Sequence, residues 1–313
     1  EDFNLVHTHL FKSHILGAFA ARMTGRKTII QDHSSLSPNA LKYYFPSKFW
    51  GRLYLSTYRF ALNLSDRVIV LNPNAEREYN ENYSLANGKL KVLPNGIDWS
   101  ESSPNRDYSG DRSIRANLNL SENAKLVMMA GRLEPKKDWW TFLKVAEKTR
   151  DRVKGELVFL IAGSGSEEDK IQNYIRDRGL DFIRLLGFRQ DLPALFSQVD
   201  VFMLTSLYEP FGIVILEAMA AGCAVVATRT EGAQSIITHG YDGLLAHIGN
   251  VEELSDHVNS LLTDGKLRQD LVNNGSKTVR DNYSVDKIAP KMAEIYRELL
   301  AGDGAEIQID CVT

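Results

Sequence analysis

At 313 residues the chain is long enough for two ordinary domains or one large one. Its composition, 43% hydrophobic and 25% charged, is that of a folded soluble protein, and a net charge of −3 excludes a strongly basic nucleic-acid binder. Two isolated cysteines, Cys223 and Cys311, form neither a disulfide framework nor a zinc cage and point to a reducing, cytoplasmic compartment.

Taken in chain order, Leu5–His7, Thr28–Gln31, Arg67–Leu71 and Lys91–Leu93 read as short strands. The chain opens at Glu1 without a methionine and reaches its first strand within a few residues, so a fragment with an incomplete N-terminal lobe is expected. Residues 98–123 are rich in Ser, Asn, Asp and Arg and lack apolar periodicity, which marks a linker. Strands at Leu126–Ala130, Leu157–Ile161, Phe182–Leu186, Val201–Leu204 and Ala224–Ala227 then alternate with helices. These helices are Trp139–Arg150, capped by Asp138; one capped by Ser166, with Asp169 completing a capping box and Gly179 ending it; a short one from Leu192; and one from about Gly212 to Ala221. Such alternation predicts a parallel sheet covered on both faces, with ligands at the carboxyl ends of its strands. Asn250 and Glu253 cap a further helix. A last one follows Ser284, carries Ile288, Met292, Ile295 and Leu299 on one stripe, and should kink at Pro290. After Leu300 the tail reads as disordered. The longest apolar stretch, Ile213–Ala227, is interrupted by Glu217 and Gly222 and is too short to span a bilayer.

Three segments carry chemistry. Glu209-Pro-Phe-Gly-Ile-Val-Ile-Leu-Glu217 places two carboxylates in an otherwise apolar run, where an unpaired charge costs several kcal/mol. Glu217 is therefore expected to face a polar ligand, and as an acceptor it suits vicinal hydroxyls. Gly212 would let a phosphate approach the start of the helix. A buried structural ion pair is the bland alternative. Gly131-Arg132-Leu-Glu-Pro-Lys-Lys137 follows a buried strand, and two cations there could stabilise a leaving diphosphate; solvated loop cations would look the same. Gly163-Ser-Gly165 is either a phosphate-contacting loop or a tight turn, and Glu168 stands where a dinucleotide fingerprint needs a third small residue. In the first half, His7, His9 and His33 lie at strand ends. His7 and His9 are expected on opposite faces, which makes a zinc site poor and local hydrogen bonding the plain reading.

Together these segments resemble the retaining glycosyltransferase family 4, with its GT-B fold. The resemblance rests on Gly131–Lys137, Ile161-Ala-Gly-Ser-Gly165, Leu186-Gly-Phe188 with Asp191-Leu192, Asp200–Ser206, the Glu209–Glu217 run, Glu217–Gly222 and Asp242-Gly-Leu-Leu245. Pro94–Asp98, His7-Thr-His9 and Asp32-His33-Ser34 match segments of the other lobe. It covers the chain from Asn4 to about Leu300. It implies two Rossmann-like doubly wound parallel-sheet lobes, the N-terminal one incomplete. The divisions are 1–104 as acceptor-side lobe, 105–122 as linker, 123–283 as donor lobe, 284–300 as a helix packing back on the N-lobe, and 301–313 as tail. It also implies transfer of a hexose-type sugar from a nucleoside-diphosphate sugar to an acceptor hydroxyl, with retention and without a metal or other cofactor. Arg132 and Lys137 would hold the diphosphate, Glu217 the ribose, and Glu209 the sugar, with backbone contacts from Phe211, Gly212 and Ile213. Gly131, Gly163 and Gly165 would line the donor cleft, Phe188 and Arg189 would lie near the base, and His9 would orient donor and acceptor. Three departures stand out: Asp138 replaces a frequent glycine, Glu231-Gly-Ala-Gln234 stands where a double glycine and a glutamate are common, and nothing corresponds to the family's first N-lobe strands and glycine-rich loop. An inactive donor-binding fragment, or a nicotinamide-dependent oxidoreductase using Gly163-Ser-Gly165, are the competing readings.

Residues 41–65 contain no acidic residue, four cations and eight aromatic residues. Phe49, Leu53, Thr57, Phe60 and Leu64 share one helical face, and Trp50, Tyr54 and Tyr58 another. The segment reads either as an aromatic core helix or as a peripheral contact with the inner membrane face or a lipid-linked acceptor of cell envelope glycan biosynthesis.

Overall fold

A computed structural model describes residues 3–34, 45, 47–99 and 113–301. The expected tail and residues 41–44 and 46 lie outside the described residues. The chain divides into two units, residues 1–96 with 285–313, and residues 97–284.

In the first unit, β1 (Leu5–His9), β2 (Lys27–Gln31), β3 (Arg67–Val70) and β4 (Leu90–Val92) form a parallel sheet in the order β1-β2-β3-β4. Helices α1 (Phe11–Thr24), α2 (Lys48–Leu64) and α3 (Pro73–Asn82) connect them. Strand side chains alternate between faces, so β2 and β3 each feed two cores. Ile30, Val68 and Val70 join Ala18, Tyr58, Leu62 and Tyr79 on one side. Ile29 and Ile69 join Leu93, Ile288, Ile295 and Leu299 on the other. The last three come from the final helix, Val285–Leu300, which runs unbroken through Pro290 and covers the second face of this sheet.

In the second unit, β5 (Lys125–Ala130), β6 (Leu157–Ala162), β7 (Ile183–Gly187), β8 (Val201–Leu204), β9 (Ala224–Thr228) and β10 (Leu244–Ala246) form a parallel sheet ordered β10-β9-β8-β5-β6-β7. Every residue of β6, β8 and β9 is buried, as expected of strands covered on both faces. The helices, continuing the numbering, are α4 (Ile114–Asn117), α5 (Trp139–Arg150), α6 (Glu168–Asp177), α7 (Leu192–Phe196), α8 (Ile213–Ala220), α9 (Glu231–Ile236), α10 (Val251–Thr263) and α11 (Gly265–Asn282); Val285–Leu300 of the first unit is α12. The strand order reverses between β5 and β8, the topological switch point where such sheets bind ligands.

Three local expectations change. α4 lies within the segment read as linker, yet it belongs to the second unit: Arg115 donates to the Gln198 carbonyl at 2.8 Å and pairs with Asp200 at 3.7 Å. Ser166 does not cap α6; Glu167 precedes the helix, held by its amide to the Leu133 carbonyl at 2.9 Å, and no side chain caps it. His7 and His9 share a face, with ring centroids 4.3 Å apart, because alternation returns every second side chain to the same side.

Candidate active site

The site is built from loops at the carboxyl ends of β5 to β9. After β5, Gly131–Asp138 turns sharply. Asp138 takes a left-handed conformation, φ 50°, which a glycine would adopt without steric cost. Its carboxylate offsets that cost by accepting from Thr141, through the amide at 3.3 Å and the hydroxyl at 2.6 Å. The buried Trp139 indole donates to the Arg132 carbonyl at 3.2 Å and fixes the start of the turn. The β6 loop presses directly on it: a Cβ on Gly163 would lie 1.9 Å from the Gly131 carbonyl oxygen, and one on Gly165 2.6 Å from that of Leu133. These two glycines permit contact between neighbouring loops, which accounts for their spacing without a dinucleotide fingerprint. Gly131, Arg132, Gly163, Phe188 and Arg189 line one cavity of about 180 Å³. Phe188 stands 70% exposed there. Arg189 is committed locally, its guanidinium donating to both carboxylate oxygens of Asp191.

After β8, the chain is laced to the β5 turn from below. Thr205 donates its hydroxyl to the Asp138 carbonyl at 2.9 Å, and the Leu207 amide donates to the Lys136 carbonyl at 2.8 Å. The result is an ion pair between Lys137 and Glu209 that bridges the switch point, with both side chains nearly buried. Lys137 also lies over Gly131: a Cβ there would be 3.9 Å from Nζ. Lys137 thus reaches the backbone of the cavity that Arg132 lines. Arg132 itself is exposed and paired with Glu134 at 2.8 Å.

Gly212, at φ 92°, begins α8, with Phe211 buried behind it and Ile213 partly exposed. Glu217 lies one turn into α8. Burial raises its carboxyl above the ordinary range, and among the described residues its side chain has no hydrogen-bond partner and no cation. Glu217 does not line the cavity of about 180 Å³; it stands on α8, whose first turn follows the Glu209–Gly212 loop. Sequence reasoning missed Glu231. Its neighbour Gly232 donates its amide to the Glu209 carbonyl at 2.9 Å and packs flat on the Phe211 backbone, which sets Glu231 beside the Glu209 loop. One Glu231 carboxylate oxygen is buried without a partner among the described residues, and burial raises its carboxyl. The only sequence signal was the departure from a glycine pair.

The first unit carries its own polar cluster at the carboxyl ends of β1 and β2. Exposed His9 and half-buried His33 share an N–H···N hydrogen bond of 2.8 Å. Burial lowers the pKa of both rings; the neighbouring His9 further lowers that of His33. His7 bonds the Tyr296 hydroxyl at 2.7 Å, and burial, then His9, lowers its pKa to about 3. Behind them, Tyr79 donates to buried Asp32 and accepts from Tyr58 at 2.7 Å.

Comparison with known proteins places this arrangement. Residues 111–278 match the model for glycosyl transferases group 1, and residues 1–101 that for glycosyltransferase family 4. The chain is 30% identical over 302 residues to an uncharacterized glycosyltransferase, MJ1607, of Methanocaldococcus jannaschii, covering 95% of this chain and 76% of that protein. It is 27% identical over 305 residues to an Escherichia coli UDP-Gal:α-D-GlcNAc-diphosphoundecaprenol α-1,3-galactosyltransferase, covering 96% of this chain and 76% of that protein. Among solved structures, Anabaena Alr3699/HepE in complex with UDP and glucose superposes with a TM-score of 0.81 at 25% identity, covering 95% of this chain and 78% of that one. The α/β lobes with parallel sheets match this GT-B neighbour, and the chain belongs to the group 1, family 4 glycosyltransferases.

Proposed function

We propose that the protein transfers a hexose from UDP-hexose to an acceptor hydroxyl, with retention at the anomeric carbon and without a metal ion. The observation that carries this reading is the Lys137–Glu209 ion pair across the switch point, beside a cavity lined by Arg132. Lys137 and Arg132 neutralise the diphosphate as the bond from C1 to the β-phosphate oxygen breaks, the task a divalent ion would otherwise perform. Glu209 accepts from hydroxyls of the sugar and holds Lys137 in place. Glu217 accepts from the ribose. Phe188 offers its exposed ring to the base, with Arg189 held beside it by Asp191. Glycine backbone at 131, 163, 165 and 212, with Phe211 and Ile213, supports the phosphates and sugar. The acceptor oxygen bonds to C1 on the face the phosphate leaves, and its proton passes to that phosphate. His9, whose pKa burial lowers, is assigned to orienting acceptor hydroxyls. The Escherichia coli relative supports a UDP donor and a lipid-linked acceptor, and the UDP-bound neighbour supports a UDP donor.

Calorimetric titration with UDP, GDP, ADP and NAD, each with and without chelator, tests the donor. We expect UDP to bind and binding to survive chelation. Preferential NAD binding, or UDP binding abolished by chelator, contradicts the reading. NMR of the product anomer then tests retention, and UDP binding without transfer identifies a donor-binding protein that is inactive.

A further inference from the structure

Two helices of the first unit turn apolar stripes outward. Surface helices of a folded domain ordinarily bury the apolar stripe and expose the polar one. On α1 the buried stripe is His14, Ala18 and Ala21. The opposite stripe runs through Lys12, Leu16, Phe19 and Met23, the last three 69%, 52% and 72% exposed. On α2, Tyr58, Ala61 and Leu62 are buried. The opposite stripe is Phe49, Leu53 and Phe60, 68%, 48% and 55% exposed, with Trp50 beside it. The two helices pack against each other. The segment 41–65 is thus divided: Tyr54 and Tyr58 serve the core, and Phe49, Leu53 and Phe60 do not. Apolar side chains gathered this way mark an interaction surface.

Charge identifies what it meets. Residues 3–65 contain eight lysines and arginines and one acidic residue, Asp32, in a chain whose net charge is −3. The two helices that carry the stripes, α1 and α2, themselves hold five lysines and arginines and no acidic residue. A second copy of the same face would set cation against cation, which opposes self-association. A flat anionic surface that admits aromatic side chains satisfies both features. We propose that the outward faces of α1 and α2 dock on an anionic phospholipid bilayer. Phe19, Phe49, Leu53 and Phe60 enter the headgroup boundary, and Lys12 and Arg52 meet the lipid phosphates. The contact is peripheral, since no described helix is long and apolar enough to cross a membrane. It is independent of the donor the second unit takes.

Flotation of the full chain with phosphatidylcholine vesicles, and with vesicles that also contain phosphatidylglycerol, tests this. We expect binding at least about tenfold stronger to the anionic vesicles, weakened by salt. Leu53→Ser with Phe60→Ser, and separately Lys12→Glu with Arg52→Glu, should each cost about tenfold or more, while UDP titration of the same variants stays at the wild-type value. Equal partition of the wild type onto neutral and anionic vesicles overturns the proposal without recourse to any variant. So does lipid-free dimerisation that the serine variant abolishes, because the face would then belong to a second copy. Loss of UDP binding in the wild type would instead sink the donor assignment and leave the vesicle result standing.

Discussion

Lys137 and Glu209 hold each other's charge nearly out of water. Removing one partner of such a pair leaves the other desolvated and unpaired, at a cost of about 3 kcal/mol. Lys137→Ala should raise the UDP dissociation constant at least about tenfold, because the cation proposed to face the diphosphate is lost. Glu209→Gln keeps the cation and a similar shape. It should leave UDP affinity within about threefold while lowering kcat by about a hundredfold or more, because Glu209 is assigned to the sugar rather than the diphosphate. Titration calorimetry and steady-state transfer on the two variants check this, and equal effects on UDP affinity would remove the division of roles. The cationic turn and the two-carboxylate helix were legible in sequence because each is a local pattern. Glu231 was not, since its place depends on Gly232 packing under a loop from another strand. Asp138 was legible as a cap, but not as the residue that bears a positive φ.

At the scale of elements, β1 and α1 are joined by a buried polar contact. Thr8 donates its hydroxyl to the Ile29 carbonyl at 3.1 Å, so the 2.9 Å contact with His14 is an Nδ1–H donated by the ring. Burial lowers the His14 pKa to about 4, against an upward pull from Asp32. The unfolded ring titrates near 6.5, so between the two values the unfolded chain binds a proton that the native chain does not. The stabilisation is full above about pH 6.5 and falls as pH drops toward 4. At pH 5 the loss from His14 alone is on the order of 2 kcal/mol. Denaturant unfolding at pH 7 and pH 5 should show it, and His14→Asn should shrink the difference by about that amount, leaving the share that the depressed His7 contributes. A pH dependence unchanged in that variant would contradict the assignment. The strand–helix alternation behind these elements was readable because buried parallel strands are short apolar runs. The failures were tertiary. Ser166 had the right residue type for a cap but lies before a turn held by Leu133, and residues 114–117 are too polar to reveal that Arg115 anchors them to Gln198.

Across the whole molecule, two parallel-sheet units carry different features. The basic, apolar-faced helices lie in the first unit, and the loops proposed to hold the donor lie at the switch point of the second. The last helix is distant in sequence from the first sheet, yet it completes that sheet's second core. The apolar stripe of Ile288, Met292, Ile295 and Leu299 announced a buried face, while its partner was visible only in three dimensions. The central claim is that the cationic turn after β5 and the helix after β8 act on one nucleotide-sugar molecule. Hydrogen exchange of the full chain with and without saturating UDP-hexose tests that most directly. The account predicts slowed exchange in both 131–138 and 212–217 at the same ligand concentration. Slowing in only one of the two segments, or in neither, would contradict it.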